Sequence, residues 1–184
     1  MVKSRIRWSS RRFFGCGLKN EMSLAQVILY LLIGVFLAQI VYYYPNLPET
    51  VASHFNGLGE PDGWMSRQNF VIFESVLLLI IIFEFTLLPI VLKKMPNSWT
   101  NLPNKGYWLG AERREATFGT IRSYFEWCSI ALLSLFIAVN QLVFRANINR
   151  ENLSSAEMWL IIGAFSTFTV IWLIKFIRQF RLRS

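Results

Sequence analysis

Apolar residues run through this chain in long blocks. They show neither the spacing of a soluble amphipathic helix nor the alternation of a half-buried strand. Four blocks, residues 23–44, 69–92, 123–144 and 156–177, are long enough to cross a bilayer. Crossing roughly 30 Å of hydrocarbon as a helix takes about 20 largely apolar residues. Helices are the expected form, because backbone polar groups in lipid must pair within their own segment. The pattern therefore predicts an all-α fold, a single integral membrane domain over residues 1–184 built as a four-helix transmembrane bundle. Two of the connections do not read as flexible linkers. Residues 45–68 and 94–121 are rich in Pro, Gly, Asn and aromatics rather than in Ser/Gly repeats. They are expected to form an ordered outer cap and an ordered inner cap. The second cap leads into the third span through Phe118, Ile121 and Phe125, at helical spacing.

Composition agrees with the pattern. Hydrophobic residues make up 54% and charged residues 16%, against about 25% charge in an average soluble domain. A disordered tail, a disulfide scaffold and a soluble enzyme are excluded. The net charge of +8 would point to nucleic acid in a soluble chain, but its distribution says otherwise. Sixteen of the 19 Lys and Arg lie before the first span, in 93–122 or from Lys175 onward at the end of the fourth span; only Arg67, Arg145 and Arg150 lie in the other two connections. The positive-inside rule then places both termini in the cytoplasm of a multi-pass cell-membrane protein. The basic N-terminus, from Lys3 to Lys19, is read as orientation plus contact with anionic lipid, not as a nucleic-acid site or a cleaved signal. Cys16 is read as an idle thiol or an acyl acceptor. Cys16 and Cys128 have no metal spacing.

The outer cap holds the turn signals Asn56-Gly57 and Pro61-Asp62-Gly63. It also holds His54, the one histidine, near Glu49, Glu60 and Asp62. Three readings of His54 stand: a structural hydrogen bond, contact with a ligand or partner, or catalysis or metal binding. Imidazole also titrates in the physiological range, which adds pH sensing. The candidate outer binding set is His54, Asn56, Glu60, Asp62 and Trp64. In the inner cap, Trp99, Tyr107 and Trp108 suit the headgroup level. Asn101, Asn104, Tyr107, Trp108, Arg113 and Arg114 form a candidate partner platform there.

Polar groups at membrane depth are costly and each is a candidate site. Glu84 lies deep in the second span and should face the bundle interior. Gln39, Glu74, Asn140 and Gln141 fall at a similar outer depth. They are read either as interhelical hydrogen bonds or as an outward pocket with Glu74 as its acid. Glu126 begins the third span and can reach the interface. Gly34, Gly163, Ala164 and Ser166 are expected to permit close helix approach, and Pro89 to kink the second span.

Two strings carry a family resemblance. Leu47-Pro48, His54-Phe55-Asn56 and Gly59-Glu60-Pro61-Asp62-Gly63-Trp64 form the first. Asn101 to Lys105, Tyr107-Trp108-Leu109 and Glu112-Arg113-Arg114-Glu115 form the second. Together they resemble the motifs of a bacterial and archaeal membrane family of unknown function, related to the Sdp-type toxin-immunity proteins. The resemblance covers residues 45–120, about two-fifths of the chain. It implies a small prokaryotic membrane protein; immunity-type members protect a producing cell from a secreted peptide, and some hold a transcriptional repressor at the membrane. Those immunity proteins typically carry more hydrophobic segments.

Four function classes follow. The first is a non-enzymatic sensor, immunity or interaction protein that meets a peptide, lipid or partner at its outer cap. The second is an accessory subunit of a larger membrane complex. The third is a small proton-linked transporter using Glu74 and Glu84. The fourth is a membrane enzyme. No nucleophile–base pair, metal-ligand spacing or phosphate loop is present, so no catalytic residue, metal or cofactor is assigned. Membrane lipids, a protein or peptide partner and a second copy of the chain are the expected partners.

Overall fold

A computed structural model describes residues 22–181; the basic N-terminal segment with Cys16 lies outside them. Helix α1 spans Leu24–Tyr43. A hairpin follows, with strands β1 (Thr50–Phe55) and β2 (Pro61–Ser66). Helix α2 is Arg67–Thr86 and α3 Leu88–Lys94. A connection containing the short helix α4 (Lys105–Trp108) leads to α5, Arg114–Asn149, and then α6, Ser155–Phe180. The protein is mainly helical, with four helical segments long and apolar enough to cross a membrane.

Local signals set the helix ends. Ser23 and Gln26 form a reciprocal capping box on α1. Ser66 and Ser154 accept from Asn69 N–H and Glu157 N–H to start α2 and α6. Pro89 sits in the first turn of α3. It has no N–H to donate back and its ring crowds the preceding turn, so the second span breaks between Thr86 and Leu88. Helix α5 ends at Arg150, in the left-handed region at φ 55°.

Helix α5 is the centre of the bundle, packing against α1, α2, α3 and α6. Its 36 residues rise about 54 Å at 1.5 Å per residue. It therefore projects beyond a hydrocarbon layer of roughly 30 Å and reaches the connections at both ends of the bundle. Three apolar clusters are strung along it. At the hairpin end, Leu47, Val51, Phe70 and Leu153 pack on Leu142, Val143 and Phe144. In the middle, Leu29, Phe36, Leu78, Ile81 and Phe85 surround Leu133. At the far end, Leu102, Leu109 and Phe180 meet Phe118 and Ile121.

The outer surface of the bundle is apolar. Val41 (74% exposed), Leu31 and Leu160 are typical of it. In water such a belt would drive aggregation; in lipid it is the solvated face. Helix α6 buries only Phe180 fully and leans on α5 through Tyr124, Trp172 and Phe176. Gly34 and Gly163, expected at close helix contacts, do not serve that way within the chain: a Cβ at either would meet nothing within 4 Å.

The hairpin touches the start of α6 at one tight point. Gly59 has φ +84° and its carbonyl accepts from Leu153 N–H at 2.8 Å. A Cβ at position 59 would collide with the Leu153 carbonyl. Gly59→Ala is therefore expected to release the hairpin tip at a cost of about 1–3 kcal/mol. Faster hydrogen exchange at the Leu153 amide and a lower melting temperature in detergent would register it.

Candidate functional site: the hairpin and its supports

The connection 45–68, expected to form an ordered cap, contains a β-hairpin. Thr50 pairs with Ser66, Val51 with Met65 and Ala52 with Trp64. The register then shifts on both sides of His54, which lies opposite Gly63, and Phe55 lies opposite Pro61. Such irregularities bend a strand and re-aim its side chains. Gly63 allows the bend, since a Cβ there would lie 2.9 Å from His54 Cβ. The turn is built by Asn56. Its Oδ1 accepts from Leu58 N–H (2.9 Å) and Glu60 N–H (3.0 Å), and its Nδ2 donates to Glu60 Oε2 (2.8 Å).

The hairpin is fixed from below. Val51 is fully buried. Asn147, near the end of α5, treats β1 as a partner strand would. Its Oδ1 accepts from Ala52 N–H at 2.7 Å, and its Nδ2 donates to Ala52 O and Val143 O, both at 2.9 Å. Arg67 donates through its backbone N–H to Glu49 O and through Nη1 to Leu47 O. What remains on display is a short row. His54 Nδ1 pairs with Asp62 Oδ1, and Trp64 is exposed beside them. In β2 the exposed positions are Asp62, Trp64 and Ser66, alternating with half-buried Pro61, Gly63 and Met65.

Within the bundle the four polar residues at hairpin-end depth form two separate pairs, each with one member on α5. Asn140 Nδ2 donates to Glu74 Oε2 at 2.7 Å, with both residues buried. Gln39 Nε2 donates to Gln141 Oε1 and Ile137 O, each at 3.1 Å, and Gln141 Nε2 donates to Tyr43 Oη at 2.7 Å. Asn140 lies seven residues before Asn147 on α5, about 10 Å below the hairpin at 1.5 Å per residue. Glu84 is half-buried, with no side-chain hydrogen bond among the described residues. Buried Glu126 accepts from Arg122 Nε (3.1 Å) and from Ser23 Oγ (3.2 Å), tying α5 to the cap of α1.

Most of the platform residues between Asn101 and Arg114 bond within the fold, at the end of the bundle far from the hairpin. Asn104 Nδ2 and Trp108 Nε1 both donate to Phe180 O, at 3.3 and 2.9 Å, and so cap the end of α6. Arg114 holds Met95 O and Asn97 Oδ1. Arg113 stacks over Tyr107 at 4.2 Å. Asn101 is exposed and makes no side-chain hydrogen bond among the described residues. Asn147, Asn97 and Leu153 were not expected as supports. Asn147 carried a signal: it repeats the face of Asn140 two helical turns on, beyond the residues expected to form the span.

Among the described residues, no cluster of three or more His, Cys, Asp or Glu is arranged to hold a metal ion. The fold and its displayed hairpin define a multi-pass membrane protein with a structured extramembrane connection. Residues 31–80, from mid-α1 through the hairpin into α2, match a family described as Domain of unknown function (DUF1648). A protein of Archaeoglobus fulgidus, described only as uncharacterized, is 33% identical over 115 residues, covering 59% of this chain and 62% of the relative. The chain thus spans less than two-thirds of that relative's length. No solved structure matches it.

Asn147→Leu is expected to destabilise the protein by roughly 2–4 kcal/mol, because it leaves the buried Ala52 N–H and C=O unpaired. Unfolding by denaturing detergent gives the energy, and the Ala52 amide should lose its exchange protection. For Glu74 and Asn140, a double-mutant cycle with Glu74→Leu and Asn140→Leu is expected to give a coupling of about 1 kcal/mol, between the mean and the maximum measured in membranes. Zero coupling would mean that the buried pair does not hold α2 to α5.

Proposed function

We propose that this is a non-enzymatic membrane protein that recognises a peptide or protein partner through the outward face of its hairpin. The face that carries the reading is the row of His54, Asp62 and Trp64. These side chains are exposed and contribute little to the core, yet they stand on a hairpin fixed at its turn, at one strand edge and at its tip. A rigid mount lowers the ordering cost of binding, and Trp is enriched among the residues that anchor interfaces. Asn56 and Glu60, also candidates for contact, shape the turn that carries this face.

In this reading the hairpin faces the exterior and both chain ends face the cytoplasm, at the cell membrane. The cation distribution supports it. So does the far end, where Lys93, Lys94, Lys105, Arg113, Arg114 and Arg122 gather with Lys175, Arg178 and Arg181. Protection against a secreted peptide is the immunity form of this function, and the motif resemblance supports that form. The transporter reading draws less support. Between the Glu74–Asn140 pair and Glu126 lies the apolar layer around Leu133, which separates these carboxyl groups along α5.

A cysteine at position 54 in intact cells tests the orientation. It should react with a membrane-impermeant maleimide from outside; labelling from the cytosolic side alone overturns the reading. A photo-reactive residue at Leu58, itself exposed, tests the recognition. His54→Ala and Asp62→Ala should each lower the cross-linked adduct about tenfold while changing stability by less than about 0.5 kcal/mol. An adduct that neither change affects rejects the site.

A further inference from the structure

At the hairpin end, α1 and α2 do not close against one another. Between them runs a groove of about 510 Å³ lined by Ile40, Val41, Tyr44, Gln68, Val71 and Ile72. That volume lies within the range of about 300–1,000 Å³ typical of small-ligand clefts. The walls are apolar apart from the Tyr44 hydroxyl and the Gln68 amide. Val41 and Ile72 are 74% and 61% exposed, so the groove opens on the surface that lipid solvates. Arg67 is not part of the lining but adjoins it through Tyr44, the guanidinium lying 4.9 Å from the centre of that ring. Among the described residues no carboxylate forms an ion pair with Arg67. One Nη1–H goes to Leu47 O, which leaves the guanidinium most of its five donors.

An apolar slot facing hydrocarbon, with a carboxylate-free guanidinium at its polar rim, has the chemistry of a lipid site. The slot takes an acyl chain, and the fork of N–H donors meets a phosphate diester in the geometry that favours Arg over Lys. A free phosphate ion would make no use of the slot, and an apolar solute would make no use of Arg67. We propose that the α1–α2 groove binds one anionic phospholipid, with an acyl chain along Val41 and Ile72 and its phosphate on Arg67. A headgroup without a second cation leaves the attraction to Arg67 unopposed, which sets the preference for anionic over choline lipids. The site is separate from the outward face of the hairpin and stands whether or not that face recognises a partner.

Native mass spectrometry tests it on the full chain, released from vesicles of phosphatidylglycerol and phosphatidylcholine in equal parts. The parent protein should retain one phosphatidylglycerol per chain in preference to phosphatidylcholine. Arg67→Gln should lower that retention about tenfold, the loss of one charge-assisted contact, and Arg67→Lys should recover part of it. Ile72→Trp fills the groove without altering any hydrogen bond and should remove the bound lipid. It decides the matter alone if Arg67→Gln fails to fold. A parent protein without retained lipid, or an Ile72→Trp protein that retains phosphatidylglycerol as the parent does, overturns the site. So does a folded Arg67→Gln protein with unchanged headgroup preference.

Discussion

Hydrocarbon offers no hydrogen bonds, and that constraint decides where the polar groups of this chain go. Side-chain amides placed along α5 meet much of it. Asn140 reaches the Glu74 carboxyl on α2 and Gln141 joins Gln39 and Tyr43 on α1; beyond the span, Asn147 completes the backbone of β1 in the same way. Amides suit the task because each carries a donor and an acceptor without charge. A carboxylate or ammonium in the same place would have to be desolvated or paired. Between the polar stations α5 presents Leu133 to Leu29, Phe36 and Ile81, where packing alone holds the helices.

The same economy explains the exposed α6. It is nearly free of burial along its length, but both of its ends are held. Leu153, just before it, donates to Gly59 in the hairpin tip. Its last residue, Phe180, is buried and its carbonyl takes Asn104 and Trp108 from the connection at the far end. Aromatic contacts to Tyr124 align it in between. A helix held this way needs no wide apolar seam with its neighbours, since lipid covers the remainder at no cost.

The helices were legible in the sequence because lipid demands a run of about 20 apolar residues, and nothing else in the chain satisfies that length. The break at Pro89 was legible for a similarly local reason. The hairpin was not. Its two turn signals were visible, but β2 reads Pro-Asp-Gly-Trp-Met-Ser, with three strand-poor residues in six. In β1, the register shifts around His54 disturb the alternation. Strand pairing there is imposed by tertiary contacts, above all by Asn147, which lies about 95 residues away in sequence. The candidate residues divided for the same reason. His54, Asp62 and Trp64 share one displayed face. Asn56, Glu60, Asn104, Trp108 and Arg114 turned out to make local or long-range bonds that composition does not reveal.

A two-stranded sheet ordinarily presents two raw borders, each an invitation to a strand from another copy. Here the Asn147 amide already occupies the border of β1 at Ala52. On the other side, β2 begins with Pro61, which has no N–H to offer, and carries the register irregularity at Asp62. Both borders are thus interrupted where a strand from another copy would have to pair.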